Sequence, residues 1–194
     1  MNLTAIQTTL ENRKVGIAGA GGLGSNCAAA LVRTGIGHLI VCDFDVVVES
    51  NLNRQFYFRD QLGLLKVDAL RTNLLRINPG LDLVTYKVKI DAVNVGAIFN
   101  DVDVLVEAFD QAEEKVMIIE TALEKWPLRP LVVGSGMAGY GNSNSLRMRS
   151  EDNLYICGDE YSEVGPDLPP LAPRVGMVAN MMADTVLEIL LNTH

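Results

Sequence analysis

Cysteine is scarce in this chain. Of 194 residues only three are cysteine (Cys27, Cys42 and Cys157), and no two fall in a C-x-x-C spacing. An odd set with no framework argues against a disulfide scaffold and offers no structural zinc site. Positive charge is also short: 16 Lys and Arg stand against 24 Asp and Glu, for a net charge of −8. An acidic surface repels phosphate backbones, so no nucleic-acid partner is expected. It leaves room for a single nucleotide in a local, donor-rich pocket. The opening residues, MNLTAIQTTLENRK, hold no apolar signal-peptide core. The most apolar tract, 171–191, is interrupted by Arg174, Asp184 and Glu188, and reads as a buried amphipathic helix, not a membrane span. A cytoplasmic chain with no membrane contact is the expectation. Internal repeats and low-complexity segments are lacking too.

What is present is ordinary globular material. Apolar residues make up 48% and charged residues 21%, enough apolar content for a sizeable core in one domain spanning 1–194. Short apolar runs alternate with helical patterns. Val15–Ala18, Leu39–Cys42, Val102–Val106 and Leu131–Gly134 read as buried strands, and Leu83–Val88 as an alternating one. Helices are predicted at Leu23–Thr34, Lys66–Ile77 and Ala112–Lys125, and after Asp91 through Phe99. The spacing of Val67, Leu70, Leu74 and Ile77 sets the second of these. This order predicts an α/β fold: a Rossmann-like, mostly parallel sheet with helices on both faces. Ser145–Arg149 reads as an added antiparallel strand near the C-terminus. Residues 158–173 hold four prolines and read as a surface loop before a last helix starting at Pro173.

Residues 15–24 read VGIAGAGGLG, so Gly19, Gly21 and Gly24 fit G-x-G-x-x-G between a strand and a helix. Bare glycines let the main chain approach phosphate oxygens, and a helix start offers free N–H groups. Asp43 ends the next strand, where an acid accepts hydrogen bonds from ribose hydroxyls. The alternative for Asp43 is a turn former, and for Asp45 an orienting role in the loop.

Past Asp43 the chain is more polar than a plain dinucleotide site requires. Asn51, Arg54 and Gln55 follow, then Lys66 at a helix start. A triphosphate needs its charge balanced while pyrophosphate departs, and a planar fork and a point charge suit that task. Asn51 and Gln55 supply neutral amide donors. Asp110 lies past the fourth strand's carboxyl end, where a carboxylate beside a triphosphate is a natural Mg²⁺ ligand, with Lys115 five residues on.

The stretches GAGGLGSN, DFDVVVESNLNRQFYF, GLLKVDALRTNLLRINP, EAFDQAEEK and APRVGMVAN resemble the ThiF/MoeB/HesA adenylating enzymes, relatives of the ubiquitin-activating E1 enzymes. The resemblance implies ATP- and Mg²⁺-dependent adenylation of a ubiquitin-like carrier's C-terminal carboxylate, with release of pyrophosphate. It implies that Gly19, Gly21, Gly22 and Gly24 approach phosphates and Asp43 the ribose. Asn51, Arg54, Gln55 and Lys66 then hold the triphosphate, and Asp110 the metal. It implies a homodimer, and the compact length resembles ThiF-like variants that serve a ThiS-like sulfur carrier in thiamine biosynthesis. Two features of many relatives are lacking: an N-terminal RYxRQ-type motif and paired C-x-x-C zinc ligands. Cys157 keeps two readings, a thioester- or disulfide-forming nucleophile or a half-buried strand cysteine. The stretch 134–142 with Tyr140, together with the loop 158–173, is placed to guide a carrier's tail. Outside this family, a NAD-dependent oxidoreductase and a non-catalytic nucleotide- or carrier-binding module stay open.

Overall fold

The computed structural model describes residues 1–192. Helix α1 (Leu3–Leu10) leads into strand β1 (Lys14–Ala18), helix α2 (Gly22–Thr34) and strand β2 (His38–Cys42). A long polar connection with two single-turn 3₁₀ segments follows. Then come α3 (Lys66–Ile77), β3 (Asp82–Tyr86), the one-turn α4 (Val95–Ile98), β4 (Val104–Glu107), α5 (Ala112–Lys125) and β5 (Leu131–Gly134). The chain closes with β6 (Arg147–Glu151), β7 (Leu154–Gly158) and α6 (Ala172–Asn192).

The strands form one sheet in the order β3-β2-β1-β4-β5-β7-β6. Among the described residues every pairing of this sheet is parallel except β6 with β7, an antiparallel hairpin at one edge. The order reverses between β1 and β4. Ligands of open α/β sheets sit at such a switch point, beyond the strands' carboxyl ends. Strands β1, β2, β4 and β5 are near-continuous apolar runs because helices cover both of their faces. One core packs α2, α3 and α6 against the sheet, and the other packs α4 and α5 against its opposite face.

Helix α2 stops at Gly35, whose φ of 104° is the left-handed conformation that glycine tolerates. Helix α6 is long and apolar enough to cross a membrane by length and composition alone. Here it packs on α2 and buries Val175, Val178, Met182, Val186 and Leu190. The expectation of a buried amphipathic helix holds.

Several expectations are corrected: the strand expected at Val102–Val106 runs Val104–Glu107, and the edge strand expected at Ser145–Arg149 runs Arg147–Glu151. The strand expected at Leu83–Val88 is shorter and runs Asp82–Tyr86. The helix expected from Asp91 to Phe99 is only the single turn Val95–Ile98. The Asp91 carboxylate accepts from the N–H groups of Val93 and Asn94, and Asn94 Oδ1 accepts from the N–H of Asp91. These side chains take up backbone donors locally and leave a turn where a helix start was expected. Helix α6 begins at Ala172, one residue before the expected Pro173.

Candidate functional site

Three glycines shape the turn from β1 into α2, each for a different reason. Gly19 has a φ of 100°, and a Cβ there would lie 2.8 Å from the Ala108 carbonyl oxygen. Any side chain would be strained and would strike the start of the β4–α5 loop. At Gly24 a Cβ would collide with the Gly19 carbonyl, so this glycine lets the helix close on its own loop. Gly21 differs. A Cβ there would meet only Gln55 Nε2, at 3.8 Å, so its backbone borders open space. One glycine turns the chain, one closes the packing and one leaves the backbone approachable, as the dinucleotide fingerprint requires. Gly22 faces Val175 of α6 and the aliphatic stem of Arg54.

The 51–57 segment is tied onto this turn. Ser25 Oγ donates to the Gly21 carbonyl at 2.6 Å and accepts from the Phe56 N–H at 3.0 Å. Asn26 Nδ2 donates to the carbonyls of Gly22 and Arg54. The buried Tyr57 hydroxyl donates to the Ala20 carbonyl at 2.7 Å. Ser25, Asn26 and Tyr57 were given no role on sequence. They bring Arg54 and Gln55 to the glycine loop across some thirty residues. The signal was there in the polar pair following the glycines, which an apolar helix start does not need. A buried Gln61–Asn73 amide pair supports the segment from below, with Asn73 Nδ2 also donating to the Phe56 carbonyl.

Asp43 stands just past β2. One carboxylate oxygen accepts from the Ala20 N–H at 2.6 Å and the other from the Asp45 N–H at 2.8 Å. It therefore shapes the turn, and the remaining lone pairs leave it able to accept from hydroxyls. Burial pushes its carboxyl above the usual range, opposed by Lys66 and by these backbone donors. Lys66 is 6% exposed, and its Nζ meets Asp45 Oδ2 at 2.7 Å. Asp45 thus does orient the loop, by holding Lys66. An ammonium has three donors, so this pairing leaves Lys66 with hydrogen-bonding capacity.

Arg54 Nη1 donates to the Ser50 carbonyl and to Asn53 Oδ1. Gln55 Oε1 is buried and lacks a hydrogen-bond partner among the described residues. An unsatisfied buried acceptor costs about 1–3 kcal/mol, so the amide is not placed for stability alone. Asn51 Oδ1 accepts from the Val48 N–H and closes a 3₁₀ turn, leaving only its amide N–H groups for a ligand.

Asp110 is exposed, past the end of β4. Its neighbours Ala108 and Phe109 lie against Gly19, which sets this loop beside the glycine turn. Among the described residues no cluster of three His, Cys, Asp or Glu could hold a metal ion. Lys115 pairs with Glu107 Oε2 and donates to the Gly134 carbonyl, joining β4, α5 and β5. Sequence reading gave Glu107 no role. Burial pushes its carboxyl up, and Lys115 opposes the shift.

Cys157 is fully buried in β7, 3.5 Å from the Thr185 hydroxyl of α6, and burial pushes its thiol up. A nucleophile needs an accessible thiolate, so the nucleophile reading does not fit this placement. The half-buried reading is corrected to a core residue, because α6 covers β7. Cys27 and Cys42 are likewise buried, with thiols pushed up to about 12 chiefly by burial.

A second buried ion pair closes the far side of the rim. Arg174 and Asp159 are each 3% exposed, and Arg174 Nη2 meets Asp159 Oδ2 at 2.5 Å. Burial alone would raise the Asp159 carboxyl. Donors from Ser162, Tyr161 and Arg174 outweigh it and hold it below the usual range.

Comparison with known proteins agrees with this geometry. The chain is 32% identical over 182 residues to "Adenylyltransferase and sulfurtransferase UBA4" of Eremothecium gossypii, covering 93% of this chain and 38% of that protein. It is 29% identical over 201 residues to the protein of the same name from Saccharomyces cerevisiae, covering 97% of this chain and 44% of that protein. The chain thus spans less than half the length of these curated relatives. Among solved structures, Escherichia coli tRNA N6-threonylcarbamoyladenosine dehydratase TcdA, in complex with AMP, superposes with a TM-score of 0.88 at 19% identity. That match covers 96% of this chain and 89% of TcdA. E. coli MccB with ATP superposes with a TM-score of 0.74 at 20% identity, over 96% of this chain and 59% of MccB. At such identities these two establish the shared fold. The ThiF family pattern itself matches residues 3–194, and with the three-glycine turn, the tethered SNLNRQ segment and the β3-β2-β1-β4-β5 order in place, this chain belongs to the ThiF family.

Proposed function

We propose that the chain adenylates the C-terminal carboxylate of a small ubiquitin-like carrier with ATP, releasing pyrophosphate. The observation that carries this reading is the junction at Gly21. An open stretch of glycine backbone faces the Gln55 amide there, whose oxygen is buried, with Arg54 beside Gly22 and the Lys66–Asp45–Asp43 chain behind Ala20. The names of the relatives and the nucleotides in the structural neighbours support it.

In the reaction a carboxylate oxygen attacks the α-phosphorus, an acyl–phosphate bond forms, and the bond to the pyrophosphate oxygen breaks. The nucleophile is ionised at neutral pH, so no general base is required. The work is positioning and charge stabilisation. Gly21 and Gly22 let the backbone come close to phosphate oxygens. Asp43, fixed by two backbone donors, accepts from the ribose. Arg54 and Lys66 offset the charge that develops on departing pyrophosphate, and Gln55 and Asn51 add neutral donors. Asp110 fits as a Mg²⁺ ligand. One exposed carboxylate suffices, because Mg²⁺ beside a nucleotide takes its other ligands from phosphates and water. When bound, that ion neutralises phosphate charge.

The finer assignment is a ThiS-like sulfur carrier, with the chain acting as a cytoplasmic homodimer and residues 1–194 as a single functional domain. Carrier-dependent ATP–pyrophosphate exchange tests the reading. Tight NAD binding without exchange returns the chain to the oxidoreductases, and ATP binding without exchange makes it a non-catalytic module.

A further inference from the structure

Two loops leave the same rim as the glycine turn, because β5 and β7 run parallel to β1. The first, 135–146, follows β5 and has Gly136, Gly139 and Gly141 at positive φ. The second, 159–171, follows β7. They are stitched together: Gly139 N–H donates to the Pro169 carbonyl at 3.0 Å, and Ala138 N–H to Ser162 Oγ at 3.2 Å. They also touch the nucleotide side, where Asn53 Nδ2, next to Arg54, donates to the Pro170 carbonyl at 3.3 Å.

One guanidinium organises this pair of loops. Arg174, in the first turn of α6, donates through Nη1 to the Gly141 carbonyl and through Nη2 to Ser145 Oγ and Asp159. Asp159 in turn accepts from the N–H groups of Tyr161 and Ser162. The next residue, Val175, packs on Gly22 of the glycine turn. A single helical turn therefore fixes both loops relative to the phosphate-facing backbone. Fold stability alone does not account for this choice, because a buried ion pair is often no better than well-packed apolar side chains. Arg174 Nε is moreover buried without a hydrogen-bond partner among the described residues.

We propose that Arg174 is a positioning residue that sets the path of the carrier's extended tail between the two loops to the α-phosphate. The inference deepens the adenylation reading and rests on it for the identity of the tail. Arginine suits the place because its planar fork reaches Gly141 through one nitrogen and Ser145 and Asp159 through the other, a spread that a single ammonium nitrogen does not match.

The test uses the full chain and two compounds in calorimetric titrations. One is AMP. The other is a glycylglycyl sulfamoyl-adenosine, in which the sulfamoyl group stands for the α-phosphate and two glycines supply a minimal extended acyl arm. The wild-type chain is expected to bind the extended compound more tightly than AMP. Arg174→Gln should weaken the extended compound by about tenfold and leave AMP within about twofold, a loss confined to the arm. Arg174→Lys, the variant more certain to fold, keeps the charge beside Asp159 and should lose about threefold. A folded Gln variant with the wild-type preference, or full rescue by Lys, overturns the positioning role alone. A wild-type chain that binds neither compound overturns the adenylation reading and this inference together.

Discussion

On the β1–β2 side of the rim, a methyl added at Gly24 would run into the carbonyl oxygen of Gly19. On the β5–β7 side, a methyl added at Gly141 would meet nothing within 4 Å. The first half is built by backbone lying against backbone, with short polar side chains locking it: Ser25, Asn26 and Asp43. The second half is also backbone against backbone at its base, where Gly158 meets the Ser135 carbonyl, but its outer span at Gly141 is tied down by one long cationic side chain. A phosphate-binding turn has to be rigid at the scale of a hydrogen bond. A loop pair that receives a flexible chain needs a fixed base and open sides. Both designs sit on one sheet edge and meet at the first turn of α6.

The largest effect should come from testing that contrast with methyl groups. Gly24→Ala forces the helix off its loop and should cost about 3 kcal/mol or more, with loss of nucleotide binding. Gly21→Ala should leave the melting temperature nearly unchanged, because its only neighbour is Gln55 Nε2 at 3.8 Å, and yet weaken ATP. Gly141→Ala is strained by its φ of 71° and should cost about 1–2 kcal/mol, with nucleotide affinity intact. Thermal melts and ATP titrations of the three proteins check the ordering. Equal losses in all three would erase the distinction between the two halves.

Next in size are the charges. Arg54→Ala and Asp110→Ala should each reduce ATP–pyrophosphate exchange by about 10²–10³-fold. Stability should fall little, because neither side chain is buried. An Asp110→Ala protein with full exchange would remove Asp110 from the site.

The Arg174–Asp159 pair of the open half and the Lys115–Glu107 pair at the centre of the sheet can be told apart through pH. The Asp159 carboxyl lies below its ordinary value, so it adds stability above about pH 4 that is lost as the pH falls through the lowered native value. The Glu107 carboxyl lies above its ordinary value. The native state takes that proton first, and stability rises on acidification between the raised native value and about pH 4.3. Asp159→Asn should therefore remove an acid loss, and Glu107→Gln an acid gain, each at most about 1.4 kcal/mol per pH unit. Urea unfolding between pH 3 and pH 7 reads both signs. Slopes of the same sign would show that the pairs are not opposed.

The halves also differ in how readily the sequence discloses them. Gly19, Gly21, Gly24 and Asp43 are legible because their roles are local and their spacing is fixed by one strand–turn–helix unit. Helix α3 is legible for a similar reason: Val67, Leu70 and Leu74 repeat at helical spacing. The antiparallel edge was anticipated at Ser145–Arg149 and lies two residues on, at Arg147–Glu151. Arg174 was read only as a break in an apolar tract, since its partners Gly141 and Asp159 lie in two other loops. Glu107 was passed over because a carboxylate ending a buried strand has no signature until Lys115 reaches it from α5. Asn51 and Asp43 were read for a ligand, and each also serves its own loop, because short polar side chains readily satisfy nearby backbone.

A matched pair of tyrosines gives the finest test, and Tyr57 probes how the rigid half is held. Its hydroxyl meets the Ala20 carbonyl at 2.7 Å, while Asp43 holds the Ala20 N–H, so side chains fix the peptide units on both sides of Ala20 in the glycine turn. Tyr57→Phe leaves the ring in place and strands a buried carbonyl, which should cost about 1–2 kcal/mol and weaken ATP by no more than about threefold. Tyr140 is 84% exposed on the open half, and Tyr140→Phe should stay within about 0.5 kcal/mol. Matched denaturation curves for the two variants decide the point. If they coincide, Asp43 and the glycines hold the turn unaided and the hydroxyl is incidental. If only Tyr57→Phe shifts, the SNLNRQFY segment supports the phosphate-facing backbone as well as supplying Arg54 and Gln55 to it.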